Sequence, residues 1–306
     1  MNNFIKIIKE ICNELNIKYT FLSKDWVIML EYKNKTRFLS GYKFDLNKHA
    51  LGLILDDKYA MYDVLNYKNI PVIKHDIVYQ DSNNNLYAKD CKGLEYAQKL
   101  FLKYQENIVL KINNGTCGRD IYHVKDLNDL TSNYNKLMMK HSAISICPFY
   151  DITNEYRAIL IDGQIKLLYK KIKPRVVGDS KKTIKELLQE FNPEYFKDYN
   201  EDNKNIILKQ GEVFEYDWKF NLSRGSLSSL DILESDKIEI INIIDKINEF
   251  LDLKFVSVDI IKTVENKFYV MEINSGVMME NFISQHENGE KIAKEIYKEA
   301  ILEMFK

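Results

Sequence analysis

The chain opens with apolar residues at helical spacing. Ile5, Ile8, Ile11, Cys12 and Leu15 fall on one face of a helix predicted over residues 4–15, with Lys and Glu between them. Short strand-like runs follow at 19–22, 26–32 and 36–39, and Lys33-Asn34-Lys35 reads as the hairpin turn between the last two. The pattern then predicts a helix over 57–67, a short strand over 70–75 (IPVIKH) and a helix over 92–105. From residue 107 strands dominate, at 107–112, 121–126 and 143–147, the last stopped by Pro148, with a helix over 127–140. Residues 155–174 read as a hairpin whose Asp162-Gly163 turn is a strong two-residue signal. Helices are predicted over 181–191 and 236–251. A strand pair follows over 255–261 and 267–274, turning near Glu265-Asn266, and then an amphipathic helix over 288–305.

Hairpins interleaved with helices give an α+β chain with antiparallel sheets. At roughly 150 residues per domain, 306 residues imply about two domains. The boundary is expected near 75–80, where a small mixed α/β head gives way to a larger α+β body. Lys and Arg total 44 against 45 Asp and Glu, a net charge of −1, which excludes a nucleic-acid binder driven by bulk charge and an acidic disordered tail. Cys12, Cys91, Cys117 and Cys147 have neither zinc-site nor disulfide-framework spacing and read as free thiols of a reducing compartment. No run of 18 apolar residues occurs and the N-terminal pattern lacks a signal peptide's apolar core, so a cytoplasmic protein without a membrane partner is expected.

Chemistry concentrates in four places. In the last hairpin, Asp259 lies near the end of one apolar strand, and Glu272 and Asn274 stand at i and i+2 of the next, hence on one face. Hard oxygen donors in partial burial suit Mg²⁺ or Mn²⁺, although a solvent-facing hairpin would carry the same residue types. Second, Lys111 ends a strand before the loop Asn113-Asn114-Gly115-Thr116-Cys117-Gly118, offering a point charge and backbone N–H groups to phosphate. Asn-Gly loops also occur simply as turns. Third, the strand ending at Cys147-Pro148-Phe149-Tyr150 makes a hinge that could meet an adenine edge or serve only as a crossover. Glu155 and Arg157 beyond it share a face, suited to ribose and phosphate or to a plain ion pair. Fourth, WKFNLSRGS (218–226) puts Asn221 and Arg224 in an irregular cationic segment, where the Arg fork suits a carboxylate or acyl phosphate and a solvated basic loop is the plain alternative. His49, His75, His123, His141 and His286 form no spaced cluster and read as surface or core-edge residues.

The order of these features along the chain resembles the ATP-grasp superfamily. The likeness is to the carboxylate–amine ligase branch that includes ribosomal-protein glutamate ligases, the ATP-grasp part of bifunctional glutathione synthetases, and cyanophycin synthetase. The run PRVVGDSKKTIKELL (174–188) is similar to the Val-x-Gly-Asp-Gly-x-x-Thr-Ile-x-Glu-Leu stretch of the latter two, with Ser180 where Gly is usual and Lys185 where Glu is. The resemblance implies an N-terminal pre-ATP-grasp domain over 1–78, a lid subdomain over 79–150 and a large subdomain with the metal site over 151–306. It further implies that Lys58 and Lys111 are the two phosphate lysines, that Gly115, Thr116 and Gly118 belong to the lid loop, and that Cys147, Phe149 and Tyr150 face adenine. Glu155 would face the ribose. Arg157, Lys171 and Arg224 would face phosphate or the reacting carboxylate, Asn221 would lie in the same substrate-side segment, and Asp259, Glu272 and Asn274 would form the magnesium triad.

The implied cofactors are ATP and two Mg²⁺ ions, or Mn²⁺. The implied reaction joins a carboxylate to an amine, of an amino acid or peptide, through an acyl phosphate with release of ADP and phosphate. Dimers are common in the resembled families. Two competing readings share the fold: a phosphotransferase working through phosphohistidine, and a non-catalytic ATP-binding regulatory protein of the synapsin type.

Overall fold

In the computed structural model, residues 2–82, 86–115, 118, 120–196 and 202–306 are described. The first helix forms where the pattern placed it. α1 (Asn3–Leu15) starts with the Asn2 side chain accepting from the Ile5 N–H and stops at Asn16, whose φ of 53° ends the helix in the left-handed region. Its buried face is Phe4, Ile7, Ile8, Ile11 and Cys12, turned slightly from the expected set, with Ile5 and Leu15 at the margin. β1 (Lys18–Leu22), β2 (Val27–Tyr32), β3 (Lys35–Ser40) and β4 (Lys43–Phe44) form an antiparallel meander. Lys35 pairs with Tyr32, so the β2–β3 turn is Lys33-Asn34 alone, both at positive φ.

Two helices follow, α2 (His49–Asp56), which sequence periodicity did not flag, and α3 (Lys58–Tyr67), capped by Asp57. Residues 70–75 are not a strand. Pro71 has no N–H to donate, and the segment joins its neighbour only through the Val72–Val270 bridge. The strand begins later, at β5 (Asp76–Tyr79). α4 (Gly93–Lys103), β6 (Ile108–Ile112), β7 (Ile121–Val124), α5 (Leu127–Met138) and β8 (Ala143–Pro148) complete a sheet ordered β5-β8-β6-β7. The expected 78/79 boundary falls inside β5, which pairs with β8. One face of this sheet carries Ile108, Leu110, Ile144 and Ile146 into a core shared with α4 and α5. The other face carries Val109, Lys111, Ser145 and Cys147.

β9 (Ile152–Ile161) and β10 (Gln164–Ile172) are the predicted hairpin, with Asp162 and Gly163 at φ 48° and 74°. A small module follows: β11 (Arg175–Val177), α6 (Ile184–Phe191), α7 (Pro193–Phe196) and β12 (Val213–Glu215). β13 (Leu227–Ser229), α8 (Glu234–Asn248), β14 (Phe255–Thr263) and β15 (Phe268–Asn274) then complete a five-stranded antiparallel sheet ordered β13-β10-β9-β14-β15. α9 (Glu280–Gln285) and α10 (Gly289–Met304) follow. Among the described residues no helix is long and apolar enough to cross a membrane.

The two faces of the five-stranded sheet divide the core. Tyr156, Ala158, Leu160, Val256, Val258 and Ile260 pack in one cluster with the α8 isoleucines. On the opposite face, Ile159, Ile161, Tyr169 and Phe255 meet α1, α9 and α10. Further along β9 and β14 that second face turns from apolar to charged, and the charged part is the candidate site. Phe255 sits where the two regions of the chain interlock, with its ring 4.8 Å from Phe44 and 6.3 Å from Tyr297. Phe255→Ala is expected to cost about 3–5 kcal/mol in urea unfolding, through lost burial and the cavity left behind.

Candidate nucleotide and metal site

Four charged side chains form a layer on the sheet. β9 carries Glu155 and Arg157 two residues apart, Asp259 on β14 lies opposite Arg157, and Lys171 on β10 lies opposite Glu155. Arg157 grips Asp259 with both ends of its fork, Nε to Oδ1 and a terminal nitrogen to Oδ2, each at 2.7 Å. Lys171 stands 3.1 Å from Asp259 and donates a short hydrogen bond to Glu155. Glu155, Lys171 and Asp259 are buried. Two cations and two anions cancel, which makes such burial tolerable. Burial pushes the Asp259 carboxyl up, but Arg157 and Lys171 outweigh it and hold it down at about 2. Burial raises the Glu155 carboxyl. Burial and Arg157 work against the Lys171 ammonium, yet Asp259 and Glu155 hold its pKa above the ordinary value.

β15 brings the remaining oxygens. Glu272 pairs directly with Asp259, and Asn274 with Ser257. A bulge makes this possible: Ile260 pairs with Val270, so Met271 is an extra residue. Without it, strict alternation would send Glu272 to the face of Val270, inside the α8 core. Asp259 is mid-strand rather than near its end, because β14 runs on to Thr263 before the turn. Among the described residues no group of three or more His, Cys, Asp or Glu gathers as a metal cluster. The oxygen set here is two carboxylates and an amide. The Asn274 amide makes no hydrogen bond among the described residues, and Glu272 has one ion-pair partner, Lys58, at 3.2 Å. That donor set fits a hard divalent cation. Asp259 would join it only by loosening its hold on Arg157 or Lys171.

The two lysines arrive from different elements, Lys58 from a helix and Lys111 from a strand. Lys58 is the first residue of α3, and its buried ammonium donates to Gly115 O at 2.6 Å besides pairing with Glu272. The backbone N–H of Lys58 donates to Asn113 O, and that of Tyr59 to the Asn113 side chain, which seats α3 on the glycine loop. Lys111 on β6 is buried and has no hydrogen-bond or ion-pair partner among the described residues. Burial lowers its pKa. A Cβ at Gly118, whose φ is +64°, would lie 2.3 Å from the Asn221 amide nitrogen, so only glycine permits that approach. Thr116 and Cys117 lie outside the described residues.

At the hinge, Cys147 is buried on the Lys111 face and burial raises its thiol pKa. The Phe149 N–H is taken by Asn107 O, and its ring stacks on His123 at 3.9 Å with Trp218 5.7 Å away. The Tyr150 hydroxyl accepts from the Lys74 N–H. Asn221 caps the single turn Leu222–Arg224, accepting from the Ser223 N–H at 3.0 Å. Arg224 Nε lies 3.7 Å from Asp217. Lys219 donates to Ile121 O at 3.4 Å, so this segment reaches across to β7.

The structure therefore joins Lys58, Glu155, Arg157, Lys171, Asp259, Glu272 and Gly115 through ion pairs, strand pairing and hydrogen bonds. Cys147 and Lys111 share the facing sheet. Phe149 belongs to an aromatic group with His123 and Trp218, and Glu155 is bonded to Lys171 rather than open to a ribose. Sequence reasoning passed over His123, Trp218 and His75. His75 is fully buried, not at a surface or core edge, and its Nδ1 lies 2.6 Å from Ser145 Oγ. Its signal was the alternation Ile73, His75, Ile77, all buried, which the misplaced strand over 70–75 obscured.

No protein-family model matches the chain, and no curated protein matches it. Solved structures do. A bifunctional glutathione synthetase from Pasteurella multocida matches over 98% of this chain and 44% of its own, at 15% identity and TM-score 0.54. A D-alanine–D-alanine ligase from Bacillus anthracis matches over 82% and 66%, at 14% identity and TM-score 0.52. A D-cycloserine synthetase matches over 83% and 72%, at 13% identity and TM-score 0.51. The chain thus spans less than two thirds of the first two. At these identities the likeness gives the fold: the chain has the ATP-grasp fold, an α+β architecture of antiparallel sheets.

The charged layer predicts strong coupling. Lys171→Met alone leaves Glu155 buried without its ammonium and is expected to cost about 3–5 kcal/mol in urea unfolding. Adding Glu155→Gln should recover at least about 1 kcal/mol of that loss, whereas additive effects would contradict the buried pair.

Proposed function

We propose that the chain is an ATP-dependent carboxylate–amine ligase that forms an amide bond and releases ADP and phosphate. The observation that carries this reading is Lys111, a buried ammonium without a partner among the described residues, on a sheet whose glycine loop receives Lys58. An isolated buried cation is costly, and an anionic ligand relieves the cost. Phosphate oxygens between Lys58 and Lys111 satisfy both ammonium groups, with the loop from Gly115 to Gly118 over the chain of phosphates. Lys58 then exchanges its pair with Glu272 for phosphate, which frees Glu272 to hold divalent cations together with Asn274, beside Asp259. Bound there, such cations would offset the negative charge of the phosphates.

A carboxylate is a poor electrophile until phosphorylated. The acyl phosphate has a good leaving group, and an amine attacks it to give the amide. Arg224 offers its planar fork to the substrate carboxylate and to the oxyanion that develops on attack, and Arg157, its own fork held by Asp259, adds positive charge beside them. Asn221 holds the turn that carries Arg224. Contact of the 218–221 segment with Gly118 and β7 keeps water from the acyl phosphate. The hinge at Cys147, Phe149 and Tyr150 lies along the adenine edge, with the Phe149 ring as a stacking surface. Glu155 steadies Lys171 at the carboxylate side. Amino acids or peptides are the proposed substrates. The cytoplasm is the proposed compartment, in keeping with Cys12, Cys91 and Cys147 forming no disulfide among the described residues.

The test is ATP-dependent phosphate release across a panel of amino acids and dipeptides with Mg²⁺. Release is expected only when a carboxylate and an amine are both present, and it should fall to background in the combined variant Asp259→Ala, Glu272→Ala, Asn274→Ala. Turnover surviving in that variant would overturn the metal assignment, and release without an amine would overturn the ligase reading. Separately, Lys111→Met should weaken ATP binding by about 10- to 100-fold in calorimetric titration, the value of one charge-assisted hydrogen bond.

A further inference from the structure

The phosphate-facing sheet holds a second unsatisfied group. His75 is fully buried, and its Nε2 has no hydrogen-bond partner among the described residues. Its Nδ1 lies 2.6 Å from Ser145 Oγ. Ser145 pairs directly with Lys111 in the β6–β8 ladder, so the two side chains stand side by side on one face. His75 and Lys111 thus flank one serine, and each presents a nitrogen that nothing among the described residues satisfies. Buried polar groups are nearly always paired, so the unpaired Nε2 of His75, with the largely buried Lys111, unpartnered among the described residues, beside the same serine, points to a missing ligand.

The hydrogen-bond network fixes what that ligand must offer. Burial, with Lys111 and Lys58 nearby, pushes the imidazole well below its ordinary pKa, so the ring is neutral. The Ser145 hydroxyl is buried and has no other acceptor among the described residues. If Ser145 donates to Nδ1, every proton at that contact is used and Nε2 carries the ring hydrogen. The opposite tautomer would strand the hydroxyl proton. His75 is therefore a donor seeking an acceptor, as Lys111 is. A neutral donor adds a hydrogen bond beside two lysines without adding a third repelling charge.

We infer that His75 is a nucleotide-binding residue, whose Nε2–H donates to an oxygen of the phosphate chain alongside Lys111, with Ser145 holding its tautomer. This rests on the ATP-binding reading above.

The test compares His75→Asn, which can keep the Ser145 bond but lacks a donor at the Nε2 position, with His75→Gln, whose amide nitrogen can reach it. Binding of ATP and of inorganic tripolyphosphate is measured by calorimetry, with thermal unfolding as the check on folding. His75→Asn is expected to weaken both ligands by about tenfold with an unchanged melting temperature, and His75→Gln to restore much of the affinity. Unchanged affinity in His75→Asn would overturn the proposal. So would weakened ATP with unchanged tripolyphosphate, because His75 would then face the base or sugar. Wild-type protein that binds neither ligand would instead overturn the nucleotide-site reading. Should His75→Asn fail to fold, ¹⁵N spectra of histidine-labelled wild-type protein decide: the Nε2–H tautomer with an Nε2 shift on adding ATP is expected, and the Nδ1–H tautomer or an unmoved signal would contradict the proposal.

Discussion

The grip of Arg157 and Lys171 on Asp259 is the constraint around which the site is built. A carboxylate buried in a sheet survives as an anion only if cations meet it with good geometry. Here the fork of Arg157 does so from the adjoining strand β9 and the ammonium of Lys171 from β10 beyond it, and Glu155 balances the remaining charge. This fixes the register of β9, β10 and β14 with respect to one another. A slip of one residue would send every charge into the α8 core. The same sheet face is apolar where α1 and α10 cover it and charged where they do not, so packing and chemistry are divided along the strands.

Around this layer, each further group is brought in by a local device. The bulge at Met271 turns Glu272 and Asn274 toward Asp259. Asp57 caps α3 and points Lys58 at the glycine loop. Gly118 lets the loop approach Asn221, and Trp218 and Lys219 reach β7 from the other side. The conformation is thus one in which the five-stranded sheet and the β5-β8-β6-β7 sheet are already tied together by side chains. Lys58 holds both Glu272 and Gly115, and an incoming anion would have to break that link to be bound by it.

Much of this was legible in the chain. Alternation and turn residues located β9, β10, β14 and β15, because these strands have one strongly apolar face and tight turns of Asp-Gly or Asn type. The i, i+2 placement of Glu272 and Asn274 was correct, although the bulge that makes it useful leaves no signature in residue types. α2 was missed since its eight residues are apolar on most sides and show little periodicity. The strand at 76–79 was placed too early because IPVIKH is apolar enough to read as one, while Pro71 denies it a ladder. His75 and Trp218 were not legible as site residues, since their meaning comes from partners on other strands. Lys171 could be named only through resemblance, because its pairing with Glu155 and Asp259 is a property of the assembled sheet.

The most direct measurement is a crystal structure of the protein with a non-hydrolysable ATP analogue and Mg²⁺. The account predicts phosphates between the Lys58 and Lys111 ammonium groups and metal density against Glu272, Asn274 and Asp259. Nucleotide bound elsewhere, or Lys111 still without an anion while the analogue is bound, would contradict it.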